Sequence, residues 1–318
     1  MEKGELETFC IDLHSSASGP HLHYRRVQLI YDVGMANILI IGCASLDTIH
    51  IEKDGYRTTY QTVGGAGLYT ALAARMSVDV TLYAPKPNPM PEALAFLDRL
   101  LDWQGPSCPP VELPCLEIVH HGGGKATLLN ASWGAEALLT PDQLPGLQDT
   151  NIVHIAALSS AQAQRSFLEK CRQAKAKAIS VGTYAKLVYQ QTQEVHQLFK
   201  AADYFFMNAN EANGLLKEGE LESLTGAPKV FITDGEHGAT VYDGANKFHV
   251  PATKVNELDP TGAGDTFCGA TLAHILHDMP LQEAAEVACD IASRNVEQIG
   301  PQFAISALKR RIKSEPAL

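Results

Sequence analysis

The stretch "DPTGAGDTFCGA" runs from Asp259 to Ala270 and holds three glycines, two aspartates and two threonines. "TLAHIL" follows it directly, and helical periodicity runs from Ala263 to about His277. A loop that leads into a helix in this way, with Gly262 and Gly264 permitting close backbone approach, suits an anion. The unpaired N–H groups of a first helical turn point outward, and the helix dipole favours negative charge there. Phosphate is the guest such a nest fits. Asp265 stands at the junction. As a plain helix cap it would leave the flanking glycines unexplained. A carboxylate held between an anion nest and a substrate hydroxyl is what phosphoryl transfer requires.

Other phosphate motifs do not fit. "GGGKAT" has a lysine but lacks the earlier glycine and the Ser/Thr of a P-loop. "GAGDTF" has Phe267 where a dinucleotide fingerprint needs its third glycine.

The surrounding chain supplies a setting for such a loop. "NILIIG", "VTLYA", "NIVHIAAL", "AISVG", "DYFFMN" and "KVFITD" read as buried strands. "AGLYTALAARM", "PEALAFLDRLLDW", "AQAQRSFLEKCRQAKA" and "TQEVHQLFKAA" read as helices between them. That alternation predicts an α/β fold with a mostly parallel sheet covered on both faces. Ligands of such sheets bind beyond the carboxyl ends of the strands. "IHIEKDGYRTTYQTVGG" and "CLEIVHHGGGKATLLNASWG" break the alternation and read as two polar hairpins. Together they predict a small flap over about residues 48–63 and 115–132.

The first 34 residues show neither a sustained period nor a signal-peptide pattern. A clean strand pattern begins just after Met35, which reads as the start of the folded domain, residues 35–318, with 1–34 as an extension or a misplaced start. The 318 residues carry a net charge of −11, and "KRRIK" is the longest basic block, the solvated end of a last helix. This argues against nucleic acid or an acidic membrane as the main partner. The seven cysteines are scattered without a CxxC pair, which suits a cytoplasmic protein without disulfides or a zinc site. His120 and His121 read as surface histidines, as do His21 and His23.

With these residues on the page, "DPTGAGDTFCGA" resembles the C-terminal signature of the PfkB/ribokinase family of carbohydrate and nucleoside kinases. "VGGAGLYTALAARM" resembles the family's N-terminal signature, "NANEA" its NxxE motif, and "TDGEHGATVYDG" its TxGxxG strand-turn. Their order and spacing agree from Met35 to about Gly300. The resemblance implies a three-layer α/β/α fold with a small β-strand lid, and an ATP- and magnesium-dependent phosphotransferase acting on an alcohol group. It implies Asp265 as the general base and the backbone N–H groups of Gly262, Ala263 and Gly264 as the anion hole. Asn208 and Glu211 would help hold magnesium through water, although a helix cap also accounts for Asn208. Thr233, Gly235 and Gly238 would line the nucleotide. Asp47, with Gly64 and Gly65, would bind substrate hydroxyls. Asp259 and Thr261 fall where some members bind potassium.

Departures from the family pattern bear on the substrate. Tyr69 stands where many sugar kinases carry Asn, and either packs in the core or contacts the acceptor. Cys289 stands near the expected adenine site in place of Asn, and "VGTYAK" replaces a polar D-x-N-x-R segment. These departures weaken an assignment to ribokinase or fructokinase proper, while the resemblance still implies a small sugar or polyol as the acceptor. A nucleoside is the alternative, and a non-catalytic binding homologue a third reading that an intact Asp265 disfavours. The apolar residues of the hairpins, such as Ile49, Ile51, Ile118, Leu128 and Leu129, need covering, which predicts a homodimer through the lid.

Overall fold

The computed structural model describes residues 37–123, 125–217, 219–221, 223 and 228–314. The extension expected over residues 1–34 lies outside them.

The strands are β1 (Asn37–Ile41), β2 (Ser45–Lys53), β3 (Tyr56–Gly64), β4 (Asp79–Tyr83), β5 (Lys86–Pro87), β6 (Asp102–Gln104), β7 (Ser107–Cys108), β8 (Cys115–Gly122), β9 (Lys125–Ser132), β10 (Ile152–Ile155), β11 (Ile179–Gly182), β12 (Tyr204–Asn208), β13 (Lys229–Thr233), β14 (Ala239–Asp243) and β15 (Asn246–Val250). The helices are α1 (Ala66–Arg75), α2 (Glu92–Ala95), α3 (Ala161–Gln173), α4 (Ala185–Gln190), α5 (Thr192–Ala201), α6 (Ala209–Leu215), α7 (Ala263–Ile275), α8 (Leu281–Asn295) and α9 (Gln302–Ser314).

Among the described residues, the large sheet has the order β15-β14-β13-β12-β11-β10-β1-β4-β6. The six apolar runs expected as strands are β1, β4, β10, β11, β12 and β13, and each pairs in parallel with its neighbours in that set. β14 and β15 extend this sheet antiparallel. Strand alternation sorts the core into two layers. Ile38 and Ile40 of β1 pack with Leu68 and Leu72 of α1 and Phe267 and Leu272 of α7. Leu39 and Ile41 face the opposite layer, with Phe167 of α3 and Leu198 and Phe199 of α5. Because β1 leads to β4 on one side and lies against β10 on the other, the order reverses at β1/β10, which is where such sheets open a crevice.

The second sheet has the order β3-β2-β8-β9, two hairpins joined through parallel β2 and β8. One expected helix is different in the structure. "PEALAFLDRLLDW" forms only the short α2 and a 3-10 turn, and then Trp103 enters edge strand β6. Its indole N–H donates to the Ala84 carbonyl at 3.2 Å, and its ring is buried in the core. Tertiary packing of one large ring outweighs a helical spacing of leucines there.

Three rings seat α7. Phe206 and Phe231 stack at 4.5 Å, and Phe267 meets both edge-on at 6.2 and 6.3 Å. α1 approaches α7 so closely that a Cβ on Gly269 would collide with the Thr70 carbonyl. The N-terminus of α7 is therefore fixed above the ends of the central strands.

Candidate active site

α7 begins at Gly262, which caps it in the left-handed conformation at φ 71°. The chain turns there with the Ala263 N–H on the Pro260 carbonyl at 3.2 Å. Asp265 follows in the first turn. It retains some solvent access, yet burial raises its carboxyl to about 7. A group poised there exchanges a proton readily at neutral pH.

Glu211 lies close enough for Asp265 to act on it electrostatically. Burial raises its carboxyl to about 7, backbone hydrogen bonding from Asn208 opposes the rise, and the charge of Asp265 adds to it. Asn208 ends β12 and caps α6. Its side chain accepts from the Glu211 N–H at 2.9 Å, and the Glu211 carboxylate accepts from the Asn208 backbone and side-chain N–H groups at 2.8 and 2.7 Å. The helix-cap reading of Asn208 is thus realised. Burial raises both carboxyls, the charge of Asp265 adds to the rise at Glu211, and a divalent cation brought by a nucleotide fits beside them. Thr233 pairs with Asn208 across the sheet, and Gly235 and Gly238 form the following turn, both at positive φ.

Tyr69 lies close enough to Asp47 and Asp265 to feel both charges, and Gly64 packs on Asp47. Asp47 belongs to β2 and is buried. It accepts from the Ser45 hydroxyl and the Leu116 N–H, both at 2.9 Å. Burial outweighs these bonds and raises it to about 6. Gly64 faces it so closely that a Cβ would collide with the carboxylate, and Gly65 starts α1. Tyr69 is buried with its ring against Gly262, so that ring face is closed to a base. Its hydroxyl is buried without a hydrogen-bond partner. Burial, and then Asp259, Asp47 and Asp265, push it well above its ordinary value. Cys289 is buried in the core layer of α7 and α8, where burial pushes its thiol up to about 12. It is packed as a small apolar residue.

His120 corrects the sequence reading. It is not a surface residue but is buried on β8, and its Nε2 lies 3.0 Å from the Thr261 hydroxyl and 3.1 Å from Asp259. His121 is turned outward to Glu52, and neighbouring residues of a strand point to opposite faces, so only one of the pair reaches solvent. Asp259 also accepts from the N–H groups of Thr261 at 3.0 Å and Gly300 at 2.8 Å. Burial raises its carboxyl, and these donors more than offset that, His120 first, so that it ends below its ordinary value. A carboxylate enclosed by N–H donors does not fit a potassium ion in this arrangement.

A sequence profile of the "pfkB family carbohydrate kinase" matches residues 110–308. The chain belongs to the pfkB family. It is similar to a cytidine kinase of Thermococcus kodakarensis, 26% identical over 279 residues that cover 84% of this chain and 98% of that one. It is similar to a ribokinase of Bacillus subtilis, 27% identical over 292 residues that cover 84% of this chain and 95% of that one. Among solved structures, the nucleoside kinase of Burkholderia thailandensis in complex with inosine shares the fold at a TM-score of 0.70 and 20% identity, covering 87% and 98% of the two chains. The pfkB chain described here is thus a phosphotransferase with an alcohol group as acceptor, built on the ribokinase-like fold. No helix of its described residues is long and apolar enough to cross a membrane.

Proposed function

We propose that this pfkB kinase transfers the γ-phosphoryl group of ATP to a hydroxyl of a small sugar or polyol, with Asp265 as the base. The observation that carries this reading is the Asp265 carboxyl, poised near neutrality at the N-terminus of α7. Asp265 accepts the hydroxyl proton as the acceptor oxygen bonds to phosphorus and the bond to ADP breaks. The N–H groups of Gly262 and Gly264 would face the charge that develops on the transferred group, and that of Ala263 would join them by leaving the Pro260 carbonyl. Asp47 holds acceptor hydroxyls, with Gly64 and Gly65 clearing space beside it. Asn208 and Glu211 would hold magnesium through water, and the ion would neutralise phosphate charge when bound. Thr233, Gly235 and Gly238 line the nucleotide. The β2/β3 and β8/β9 sheet acts as the lid that excludes water from the phosphates.

A nucleoside acceptor is the second reading, and an aromatic pair favours it. Trp133 follows β9 and Tyr184 follows β11, both half-buried, with ring centroids 5.8 Å apart and tilted by 49°. The backbone of Ala185, the next residue, lies near Glu211 and lowers its proton affinity. Such rings beside the crevice offer a base an apolar wall. Incubation of purified protein with ATP, magnesium and a panel of sugars, polyols and nucleosides is expected to yield one phosphorylated class. Failure of every acceptor would leave the non-catalytic reading.

The lid also bears on assembly. Ile49 is fully buried within the chain, whereas Leu128 and Leu129 of edge strand β9 remain about half exposed. Two copies joined through this sheet would cover them. Light scattering is expected to give twice the single-chain 34.3 kDa. A single-chain mass with full activity would remove the dimer.

A further inference from the structure

The bond between His120 and Asp259 joins two parts of the molecule that are far apart in sequence. His120 lies on β8, which pairs in parallel with β2, where it stands opposite Ile51. Asp259 lies on the loop before α7, and its backbone N–H donates to the Val296 carbonyl at 3.0 Å. Its Oδ2 accepts from Gly300 and its Oδ1 from Thr261 and His120. A carboxylate only accepts, so His120 Nε2 carries the hydrogen. The remaining His120 nitrogen, Nδ1, is buried without a hydrogen-bond partner. Both Asp259 and His120 are almost inaccessible to water. The imidazole therefore sits where a cation compensating Asp259 would have to sit, and it also ties the small sheet to the loop that starts the anion hole.

We propose that His120 is a positioning residue that latches the small sheet onto the Asp259–Thr261 loop and stands in place of a monovalent cation there, so that transfer proceeds without potassium. The transfer part of this rests on the kinase reading; the latch and cation parts do not.

Melting of the nucleotide-free protein in potassium, sodium or choline chloride at matched ionic strength reads the cation part directly. The three curves are expected to agree within about 1 °C, since an ion that binds only the folded state raises the melting temperature. A potassium-specific rise of several degrees would overturn the proposal. Hydrogen exchange reads the latch. His120→Ala is expected to speed amide exchange across β8 and β9 by about tenfold or more, because protection reports local opening. His120→Gln, whose amide can still donate to Asp259, is expected to keep most of that protection. If the alanine variant does not fold, His120→Leu serves, being apolar and without a donor. Equal protection in the donor-less and glutamine variants would overturn the latch. With an acceptor in hand, the alanine variant is expected to lose about tenfold or more in kcat with little change in the KM for ATP, and glutamine to restore part of it. Wild-type turnover that needs potassium would overturn the proposal. No turnover in any salt would instead count against the kinase reading, with melting and exchange still deciding the latch.

Discussion

Asp265→Asn is expected to lower turnover by ~10²–10⁴-fold while nucleotide binding remains, the usual range for loss of a general base. The amide keeps the shape at the first turn of α7 but cannot take a proton from the acceptor. The same variant tests the electrostatics. The folded state holds the Asp265 proton up to about 7, against an ordinary value of 3.8. Between those limits the folded chain binds more protons than the unfolded one, so this group's contribution to stability falls as pH rises through the window. Asparagine carries no charge and escapes that loss. The variant should therefore melt above wild type at about pH 8, with a gap that shrinks toward about pH 5. Wild-type kcat should rise with pH through about 7 as the base ionises. Kinetics, ATP-analogue calorimetry and melting over that pH range check all of this. Near-wild-type turnover in the asparagine variant would remove Asp265 as the base.

Patterns that depend on local periodicity could be read before the structure was known. The six parallel strands show as continuous apolar runs because both faces of each are covered, and the two hairpins show by their alternation and glycines. Trp103 shows why "PEALAFLDRLLDW" was misread. Its leucines have helical spacing, but an indole anchored to Ala84 pulls the segment into an edge strand, and nothing local encodes that partner. Residues proposed for the site stand out where a motif concentrates them, as around Asp265. His120 was not, since its role depends on Asp259, 139 residues away, and a histidine pair in a polar hairpin looks solvated. For Tyr69, packing and acceptor contact stood equal in the sequence. The structure places its ring under Gly262, which gives the packing half a specific purpose.

That purpose leads to the second large effect. Gly262→Ala is expected to lower kcat by on the order of 10²-fold, the cost of displacing a donor that faces developing charge. Two causes act together. The backbone sits at φ 71°, a conformation that costs an alanine roughly 1 kcal/mol, and its Cβ would collide with the Tyr69 ring. Tyr69 cannot recede, because it is buried on α1, and α1 is held against α7 at Gly269. The loop must move instead, and the N–H groups proposed as the anion hole move with it. Gly264→Ala is the control. Its Cβ would meet nothing within 4 Å, and its backbone is ordinary helix, so melting should stay within about a degree of wild type. Tyr69→Leu combined with Gly262→Ala separates the two causes. Removing the ring should restore part of the lost kcat, giving a coupling on the order of 1 kcal/mol in a double-mutant cycle, and leave only the backbone strain. Additive losses in that cycle would mean that the tyrosine does not set the position of the loop. They would leave the positive φ of Gly262 as the sole reason for glycine at the head of α7.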